Sequence, residues 1–408
     1  MTSGTIIVGA GHAGVQAAAS LREEGYDGPV VLIGEEQELP YHKPPLSKTF
    51  IKDAAAKPQP LRGESFYEGN SIDYRPGLHV ERIDLAGRRL ELAGGASLAF
   101  DRLILATGSR PRRLPVEGAG LAGVVSLREV ADARLIRELS ASCTDVVVLG
   151  GGFIGLEIAA TLRAAGRNVT VVEAADRLLG RVVAAPIGEH VRQRLADLGV
   201  RILTGTTVSR LEGERGHVSA AVTAAGERLP AQLVIVGVGV VPNVELAEQA
   251  GIAISNGIRV DHQMRTSVPE VLSVGDVASY RHWFTGGDVR LESVQNATDQ
   301  ARLAARTITG GTDAYGAVPW FWSDIGDMKL QMVGLTAGAE SHLTVGTPQD
   351  NRFSVYHFAG DRLVAVESVN RPADHMLGRK MLAAGFSPSR EAVAEGADAL
   401  KAALAAAG

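Results

Sequence analysis

The chain has 408 residues, more than a single hydrophobic core usually supports, so two or three domains are expected. Apolar residues make up 45% and charged residues 21%, as in globular proteins, and the net charge of −5 argues against general binding to nucleic acid or anionic membranes. The single cysteine, Cys143, excludes an intrachain disulfide and a Cys-x-x-Cys redox or zinc site, and no metal site is expected.

The start of the sequence, MTSGTIIVGAG, has no basic segment before its first apolar stretch. A later apolar stretch, which begins at Val146, is interrupted by Glu157. These patterns favour strands followed by helices over a signal peptide or a membrane span. We therefore expect a cytoplasmic protein.

Two parts of the chain predict the same alternation of strand and helix. The first part has the strand GTIIVG, the helix HAGVQAAASLREEG, the strand PVVLIGEE and, at 102–111, RLILATGSRP. The order begins again at Asp145 with DVVVLG, FIGLEIAATLRAAG and NVTVVE, and ends at 232–243 with QLVIVGVGVVPN. Such alternation is typical of parallel sheets covered by helices.

The pattern changes after Gly251. VPEVLSVGDVAS, at 268–279, predicts a further buried strand, and a helix is expected from Ser293 to about Thr309. Beyond Pro319, RFSVYHFAGDRLVAVESV alternates about Gly360 and Asp361, which predicts an antiparallel hairpin, and an alanine-rich helix follows. The expected class is α/β, with two Rossmann-like dinucleotide-binding domains and a C-terminal α+β domain.

Each repeated unit carries the G-x-G-x-x-G spacing of a dinucleotide-binding turn, which we call a glycine fingerprint. The glycines are Gly9, Gly11 and Gly14 in the first unit and Gly150, Gly152 and Gly155 in the second. The first glycine of each set permits a tight turn, the second lets the backbone approach a pyrophosphate, and the third lets the helix pack closely on the strand. The helix N-terminus then faces the phosphate charge.

An acidic residue ends the strand that follows each fingerprint. Glu35 lies 21 residues after Gly14, and Glu173 lies 18 residues after Gly155. A carboxylate at this position accepts hydrogen bonds from the ribose hydroxyls of an adenine nucleotide. Two matches in the same register predict two dinucleotide sites, and a flavin and a nicotinamide are the pair that exchange a hydride. Glu173 opposes a 2′-phosphate, and the next arginine is Arg177, so NADH is favoured over NADPH.

Together these motifs resemble those of two-dinucleotide flavoprotein reductases. LILATGSRP is similar to their ATG segment and VPEVLSVGDVAS to their second flavin motif. PYHKPPLSK, at 40–48, and PWFWSDIGDMKLQMVG, at 319–334, resemble segments of the FAD-dependent ferredoxin reductase family, of the putidaredoxin reductase and biphenyl dioxygenase reductase type. The resemblance covers nearly the whole chain. The sequence departs from it at Lys43, where arginine is usual, and at Ile325, where glutamine is frequent.

The resemblance implies a glutathione-reductase-like arrangement of domains. Residues 1–110 and 245–319 would form a discontinuous FAD-binding domain. Residues 111–244 would be an inserted NADH-binding domain, and residues 320–408 the C-terminal α+β domain.

The resemblance also implies a set of cofactor-binding residues. For FAD these are Gly9, Gly11, Ala13, Gly14, Glu35, Lys48, Val80, Ala106, Thr107, Gly108, Arg128, Asp276 and Val294. For NADH they are Gly150, Gly152, Ile154, Gly155, Glu157, Glu173 and Gly239. The catalytic residues would be Lys48 near the flavin ring, Glu157 near the nicotinamide, and Trp322 stacked at the ring site. Glu157 lies in an otherwise apolar helix, where an unpaired carboxylate is costly, and Lys48 is its expected partner.

The activity that the resemblance implies is that of an NADH:ferredoxin oxidoreductase. A hydride would pass from NADH to FAD, and single electrons would then pass to a [2Fe–2S] ferredoxin that feeds a cytochrome P450 or a ring-hydroxylating oxygenase. Arg302 and Arg306, one helical turn apart, are candidates for docking an acidic redoxin. Further candidates are Arg290, Lys329, Arg379 and Lys380. A monomer or weak homodimer is expected.

Two alternatives remain on the same scaffold. A disulfide reductase, or a cysteine-dependent NADH oxidase or peroxidase, needs a redox thiol beside the flavin, and the first 142 residues contain no cysteine. A redox-sensing or interaction flavoprotein of the apoptosis-inducing-factor type is compatible with the C-terminal domain. Rapid turnover with a [2Fe–2S] acceptor would distinguish the reductase from the sensor.

Overall fold

The computed structural model describes residues 3–283 and 285–407. Its strands are β1 Gly4–Val8, β2 Val30–Ile33, β3 Ile72–Arg75, β4 Val80–Asp84, β5 Arg89–Leu92, β6 Ser97–Leu105, β7 Ser109–Pro111, β8 Val124–Val125, β9 Asp145–Leu149, β10 Asn168–Val172, β11 Arg201–Leu203, β12 Val208–Glu214, β13 His217–Thr223, β14 Arg228–Pro230, β15 Leu233–Val236, β16 Val240–Pro242, β17 Ile254–Ser255, β18 Gly257–Val260, β19 Val271–Ser273, β20 Ala278–Arg281, β21 Asp288–Val289, β22 Trp320–Ile325, β23 Met328–Gly334, β24 Ser341–Thr347, β25 Arg352–Ala359 and β26 Arg362–Val369. Its α-helices are α1 His12–Glu23, α2 Thr49–Lys52, α3 Glu64–Gly69, α4 Val130–Ser142, α5 Phe153–Ala164, α6 Ala185–Asp197, α7 Glu245–Gln249, α8 Val294–Ile308, α9 Pro372–Ala383, α10 Arg390–Glu395 and α11 Ala397–Ala407. Short 3₁₀ helices within the described ranges lie at Pro44–Ser47, Gly275–Val277 and Pro348–Asp350.

The chain divides into two compact units. Unit 1 comprises Met1–His42, Gln59–Arg110 and Val241–Ala317. Unit 2 comprises Lys43–Pro58, Pro111–Val240 and Val318–Gly408. The two glycine fingerprints therefore lie in different units. The division into three domains that the resemblance implies stays a prediction.

A mixed sheet in unit 1 carries the first fingerprint. Its strand order is β3-β2-β1-β6-β5-β4, with β19 paired to β6. The strands β3, β2, β1, β6 and β19 run parallel, whereas β5 pairs antiparallel with both β6 and β4. Ile7 of β1 lies beside Leu32 of β2 and Ile104 of β6, and all three side chains are buried. This burial is typical of parallel strands covered on both faces. Since β1, β6 and β19 run parallel, their carboxyl ends meet at one edge of the sheet.

A parallel sheet in unit 2 carries the second fingerprint. Its strand order is β11-β10-β9-β15-β8. Val147 of β9 lies between Thr170 of β10 and Val234 of β15. The antiparallel sheet β12-β13-β14 contributes to the same hydrophobic core. The repeated sequence pattern thus corresponds to two Rossmann-like sheets, and the predicted α/β class is confirmed.

The last part of unit 2 is an antiparallel sheet covered by helices. The strand order is β22-β23-β26-β25-β24. Leu377 and Met381 of α9 pack in its core with Val333 and Val366. In the β25–β26 hairpin, Ala359 pairs with Arg362, so the chain turns at Gly360 and Asp361 as the sequence predicts. This sheet and its helices form the expected α+β part.

Residues 43–58 form a short helical segment of unit 2. The 3₁₀ helix Pro44–Ser47 leads into α2, where Phe50 is buried. The guanidinium of Arg137, on α4, lies 4.7 Å from the centre of the Phe50 ring and donates a hydrogen bond to the carbonyl of Asp53. These contacts attach the segment to α4.

Among the helices that the structure describes, none combines the length with the apolar character needed to cross a bilayer.

Helix α8 begins where the sequence predicts, because the Ser293 hydroxyl accepts a hydrogen bond from the Asn296 N–H at 3.1 Å and caps its first turn.

Candidate functional site

The first fingerprint forms the turn between β1 and α1. Gly9 has φ 107°, and a Cβ there would overlap the carbonyl oxygen of Ala106. A Cβ at Gly14 would overlap the carbonyl oxygen of Gly9. At Gly11, by contrast, no described atom beyond its immediate neighbours lies within 4 Å of the Cβ position. The turn therefore has open space beside the N-terminus of α1, as a bound pyrophosphate requires.

The second fingerprint repeats this geometry between β9 and α5. Gly150 has φ 106°, and a Cβ there would overlap the carbonyl oxygen of Gly237. A Cβ at Gly155 would overlap the carbonyl oxygen of Gly150, whereas the Cβ position of Gly152 has no described atom beyond its immediate neighbours within 4 Å. The sequence analysis missed Gly237, although its place after β15 matches that of Ala106 after β6.

Glu35 lies at the end of β2, as predicted. Its side chain is 76% exposed, and Oε1 is 2.8 Å from Nδ1 of His79. Val80, which directly follows His79, has a buried side chain, so its backbone is the part available to an adenine. The structure thus brings Glu35 and Val80 together through His79, a residue that the sequence analysis did not identify.

Glu173 accepts hydrogen bonds from the backbone N–H groups of Gly151 at 2.6 Å and Ala175 at 2.7 Å. A Cβ at Gly151 would lie 2.5 Å from Cδ2 of Leu178 and 3.1 Å from Oε2 of Glu173, so a larger residue here would displace these side chains. The guanidinium of Arg177 donates to the carbonyls of Gly180 and Val183 at 2.7 and 2.9 Å. Arg177, the first arginine after Glu173, therefore stabilises the loop at 177–183.

The ATG segment, residues 106–108, directly follows β6 and is held by hydrogen bonds to Asn243. The Thr107 hydroxyl donates to the carbonyl of Asn243, and the Asn243 side chain donates to the carbonyl of Thr107, both at 2.8 Å. The Asn243 N–H donates to the carbonyl of Gly108 at 2.9 Å. Ala106 donates its N–H to Val8 at 2.8 Å, which holds this segment beside the end of β1.

Asp276 lies in the 3₁₀ helix after β19, close to α1 and α8. Its Oδ2 accepts a hydrogen bond from the Ser109 hydroxyl at 3.2 Å. A Cβ at the preceding Gly275 would lie 3.0 Å from Cβ of Ala13, and the Gly275 N–H donates to Gln300 of α8 at 2.8 Å. Val294 is half-buried in the first turn of α8. The first glycine turn, residues 106–108 and Asp276 therefore gather where β1, β6 and β19 end, whereas Glu35 follows β2 and Val80 begins β4.

Lys48 and Glu157 form an ion pair in unit 2. Nζ of Lys48 is 2.8 Å from Oε1 of Glu157, and the two side chains are 21% and 7% exposed. Nζ also donates to the carbonyl of Pro44 at 3.3 Å. The α5 helix carries Glu157 directly behind its glycine turn, and the 3₁₀ helix Pro44–Ser47 presents Lys48 to it.

Two serines complete the surroundings of Glu157. Ser47 donates its hydroxyl to Oε2 at 2.5 Å, and Ser323 of β22 donates to Oε1 at 2.6 Å. Thr161, one turn further along α5, donates to the carbonyl of Ser47 at 3.0 Å. The sequence analysis missed both serines. Both serines lie in the segments PPLSK and WFWSD, which the resemblance singles out. The sequence does not show which residue a serine hydroxyl will bond, so their shared partner could not be identified.

Trp322 lies on β22 and points to the opposite face from Ser323, since successive side chains of a strand alternate. It is 36% exposed and stacks on Trp320 with ring centres 5.7 Å apart. On the Ser323 face, Phe321 meets Phe153 of α5 with ring centres 5.2 Å apart. The structure therefore brings Ser323, rather than Trp322, to the Glu157 carboxylate.

Of the other predicted residues of unit 2, Ile154 lies in a helix, whereas Gly239 and Arg128 lie in loops. Ile154 is exposed in the first turn of α5, and Gly239 accepts a hydrogen bond from the Arg112 N–H at 2.9 Å. Arg128 precedes α4, and its N–H donates to Asp132 at 2.8 Å. Its carbonyl accepts a hydrogen bond from Lys43 at 3.4 Å.

Cys143 lies at the C-terminal end of α4 and is buried. Burial raises the pKa of its thiol above the ordinary value. A thiol with a raised pKa carries little thiolate at neutral pH and is a poor nucleophile. This environment is that of a structural cysteine.

Comparison with known proteins agrees with this geometry. Residues 4–301 match the pyridine nucleotide-disulphide oxidoreductase family, and residues 320–404 match the reductase C-terminal family. Rhodocoxin reductase of Rhodococcus erythropolis is 43% identical over 401 residues, which cover 98% of this chain and 94% of the relative.

Solved structures with the same fold cover the whole chain or nearly so. The ferredoxin reductase for the CYP199A2 system from Rhodopseudomonas palustris has a TM-score of 0.96 at 42% identity, covering 98% of this chain and 100% of the other. The covalent putidaredoxin reductase–putidaredoxin complex has a TM-score of 0.96 at 38% identity, covering 100% of this chain and 99% of the other. The chain therefore belongs to the pyridine nucleotide-disulphide oxidoreductase family.

Proposed function

We propose that this chain is an FAD-dependent NADH:ferredoxin oxidoreductase whose acceptor is a [2Fe–2S] redoxin that feeds a cytochrome P450 or a ring-hydroxylating oxygenase. The observation that carries the proposal is the ion pair between Lys48 and the buried Glu157 in a chain with two dinucleotide turns. The similarity to rhodocoxin reductase and to a putidaredoxin reductase in complex with its redoxin supports the choice of acceptor.

The residues present fit both cofactors. Gly11 and Gly152 leave open space at the N-termini of α1 and α5, where backbone N–H groups and the helix dipole favour pyrophosphate. In unit 1, Glu35 would accept hydrogen bonds from ribose hydroxyls of FAD, and Asp276 would bind the ribityl chain. Bound FAD supplies the capacity to take a hydride from NADH and to release electrons to a one-electron acceptor.

Lys48 and Glu157 contribute electrostatic stabilisation. The ammonium of Lys48 favours the negative charge that reduction brings to a flavin ring. The carboxylate of Glu157 favours the positive charge that NADH acquires when it gives up its hydride. Neither residue has to transfer a proton. We also expect Trp322 at the flavin ring and Arg128 near the phosphates of FAD.

Glu173 favours NADH over NADPH. Its carboxylate repels a 2′-phosphate and can accept hydrogen bonds from ribose hydroxyls. Arg177 donates to the carbonyls of Gly180 and Val183, so these donors of its guanidinium are already used within its own loop. Ile154, in the first turn of α5, and Gly239, in the loop after β15, would contact the same coenzyme.

Arg302 and Arg306 are the proposed docking residues for an acidic redoxin. Arg302 pairs with Asp299 at 3.1 Å, and Arg306 pairs with Asp313 at 3.3 Å. Exposed ion pairs of this kind contribute little to stability, so their arginines can exchange one acidic partner for another. A cytoplasmic location and a monomer or weak homodimer complete the proposal.

The acceptor is tested by mixing the NADH-reduced holoprotein anaerobically with an acidic [2Fe–2S] ferredoxin. We expect rapid reduction of the cluster and return of the oxidised flavin spectrum. A flavin that stays reduced for minutes in the presence of NAD and the ferredoxin would contradict the reductase proposal and favour a redox sensor.

A further inference from the structure

We propose that Ser47 and Ser323 are positioning residues that hold the Glu157 carboxylate by both of its oxygens, so that the Lys48 ammonium, although paired with Glu157, can also act on the flavin. This inference rests on the proposed roles of Lys48 and Glu157. It concerns the two serines, whose side chains touch the carboxylate but are not expected to touch the reacting atoms.

The first argument is the distribution of hydrogen bonds on Glu157. A carboxylate offers about four acceptor positions on its two oxygens. Oε2 accepts from Ser47 at 2.5 Å, and Oε1 accepts from Ser323 at 2.6 Å and from Lys48 at 2.8 Å. Because Glu157 is buried, these bonds replace those that water would make. Of the three donors that the described residues provide to Glu157, two are therefore serine hydroxyls.

The second argument is that the serines come from separate parts of unit 2. Ser47 ends the 3₁₀ helix Pro44–Ser47, Glu157 lies on α5, and Ser323 lies on β22. Both serines are buried. Thr161 donates to the carbonyl of Ser47 at 3.0 Å, so α5 holds this turn at two points. The directions of both hydroxyls are thus set by packing, which suits a positioning role.

The third argument concerns the donors of Lys48. An ammonium has three N–H groups. Among the described residues, Lys48 gives one to Glu157 and one to the carbonyl of Pro44. If either serine hydroxyl is removed, the carboxylate loses a donor and Lys48 remains its nearest cationic partner. The ammonium is then drawn towards Glu157, and its effect on the negative charge of reduced flavin falls.

The test uses FAD-loaded protein with Ser47→Ala, Ser323→Ala and Lys48→Met, alone and combined. Stopped-flow reduction by NADH gives the limiting rate and the NADH dissociation constant, and an anaerobic dye titration gives the flavin midpoint potential. A matched control is Ser354→Ala, which removes a buried hydroxyl of β25 that bonds Ser368 of β26 at 3.0 Å.

We expect each serine variant to lower the limiting rate about tenfold, the usual scale for a hydrogen bond to a charged group. The midpoint potential should become more negative, while the NADH dissociation constant stays within about twofold of the parent value. Ser354→Ala should match the parent protein. In the Lys48→Met background, adding Ser323→Ala should change the rate by less than about twofold, because the two act through one ammonium.

Parental rates and potentials in both serine variants, with Lys48→Met lowering both quantities, would overturn the inference and leave the role of Lys48 intact. A Lys48→Met variant with a parental rate and potential would overturn the proposed role of Lys48, and the inference with it. If Ser323→Ala fails to retain FAD, Ser47→Ala tests the same effect from the other carboxylate oxygen.

Discussion

Nζ of Lys48 lies 2.8 Å from Oε1 of Glu157, and the glutamate side chain is almost fully buried. Removing one partner of such a pair leaves an uncompensated charge in a poorly solvated place. The pair is therefore costly to break, although its formation need not stabilise the fold. Its position behind the second glycine turn is better explained by the charge changes of hydride transfer.

Lys48→Met should lower the free energy of unfolding by about 3 kcal/mol, because Glu157 stays buried without its cation. In a Glu157→Gln background, the same change should cost less than about 1 kcal/mol, since the neutral amide can still bond Ser47 and Ser323. Urea denaturation of the FAD-loaded proteins, followed by circular dichroism, measures both values. Equal losses of unfolding free energy in the two backgrounds would show that Lys48 and Glu157 do not stabilise each other.

The two glycine turns should be separable by alanine substitution. The Cβ positions of Gly11 and Gly152 face open space, so both variants should fold. Gly11→Ala should lose FAD, because the new methyl occupies the space for its pyrophosphate, whereas Gly152→Ala should keep FAD and raise the KM for NADH about tenfold or more. Flavin absorbance after gel filtration and steady-state kinetics check these outcomes. Loss of FAD in Gly152→Ala alone would reverse the assignment of the two turns.

Arg302→Glu should slow reduction of an acidic [2Fe–2S] ferredoxin about tenfold at low salt and leave flavin reduction by NADH unchanged. The difference should shrink as salt screens the charges. Arg192→Glu is a matched control, because Arg192 also forms an exposed ion pair three residues along a helix, with Glu189. Equal ferredoxin rates for the two variants at low salt would remove Arg302 from the docking surface.

His375 should make the protein sensitive to acid. Burial, reinforced by Arg379, lowers the pKa of its imidazole from 6.5 to about 4. The unfolded chain then binds a proton that the folded chain does not, so stability falls as the pH drops from 6.5 towards 4, by up to about 3 kcal/mol. His375→Leu should flatten this part of the stability profile in urea titrations. An unchanged profile would show that another group dominates.

Local patterns in the sequence predicted the parts of the fold that depend on neighbouring residues. The strand and glycine turn at Gly9 and its repeat at Gly150 could be predicted because spacing along the chain determines both. The hairpin at Gly360 and the helix capped by Ser293 could also be predicted, since turn and cap residues act on backbone groups within a few positions along the chain.

Contacts between distant segments were beyond prediction from the residues alone. Ser47 and Ser323 meet Glu157 across 110 and 166 residues of chain, and a serine hydroxyl has no preferred partner. His79 beside Glu35 and Gly237 beside Gly150 likewise depend on strand order. The direction of Trp322 depends on the register of β22, which one added or missing residue would reverse.

The most direct test of the central claim is an anaerobic titration of the FAD-loaded protein with NADH, followed by visible absorption. Two dinucleotide sites that exchange a hydride predict bleaching of the flavin bands by about one NADH per chain, without the long-wavelength absorption of a thiolate beside the flavin. A protein that cannot be loaded with FAD, or whose FAD is not reduced by NADH, would contradict the assignment.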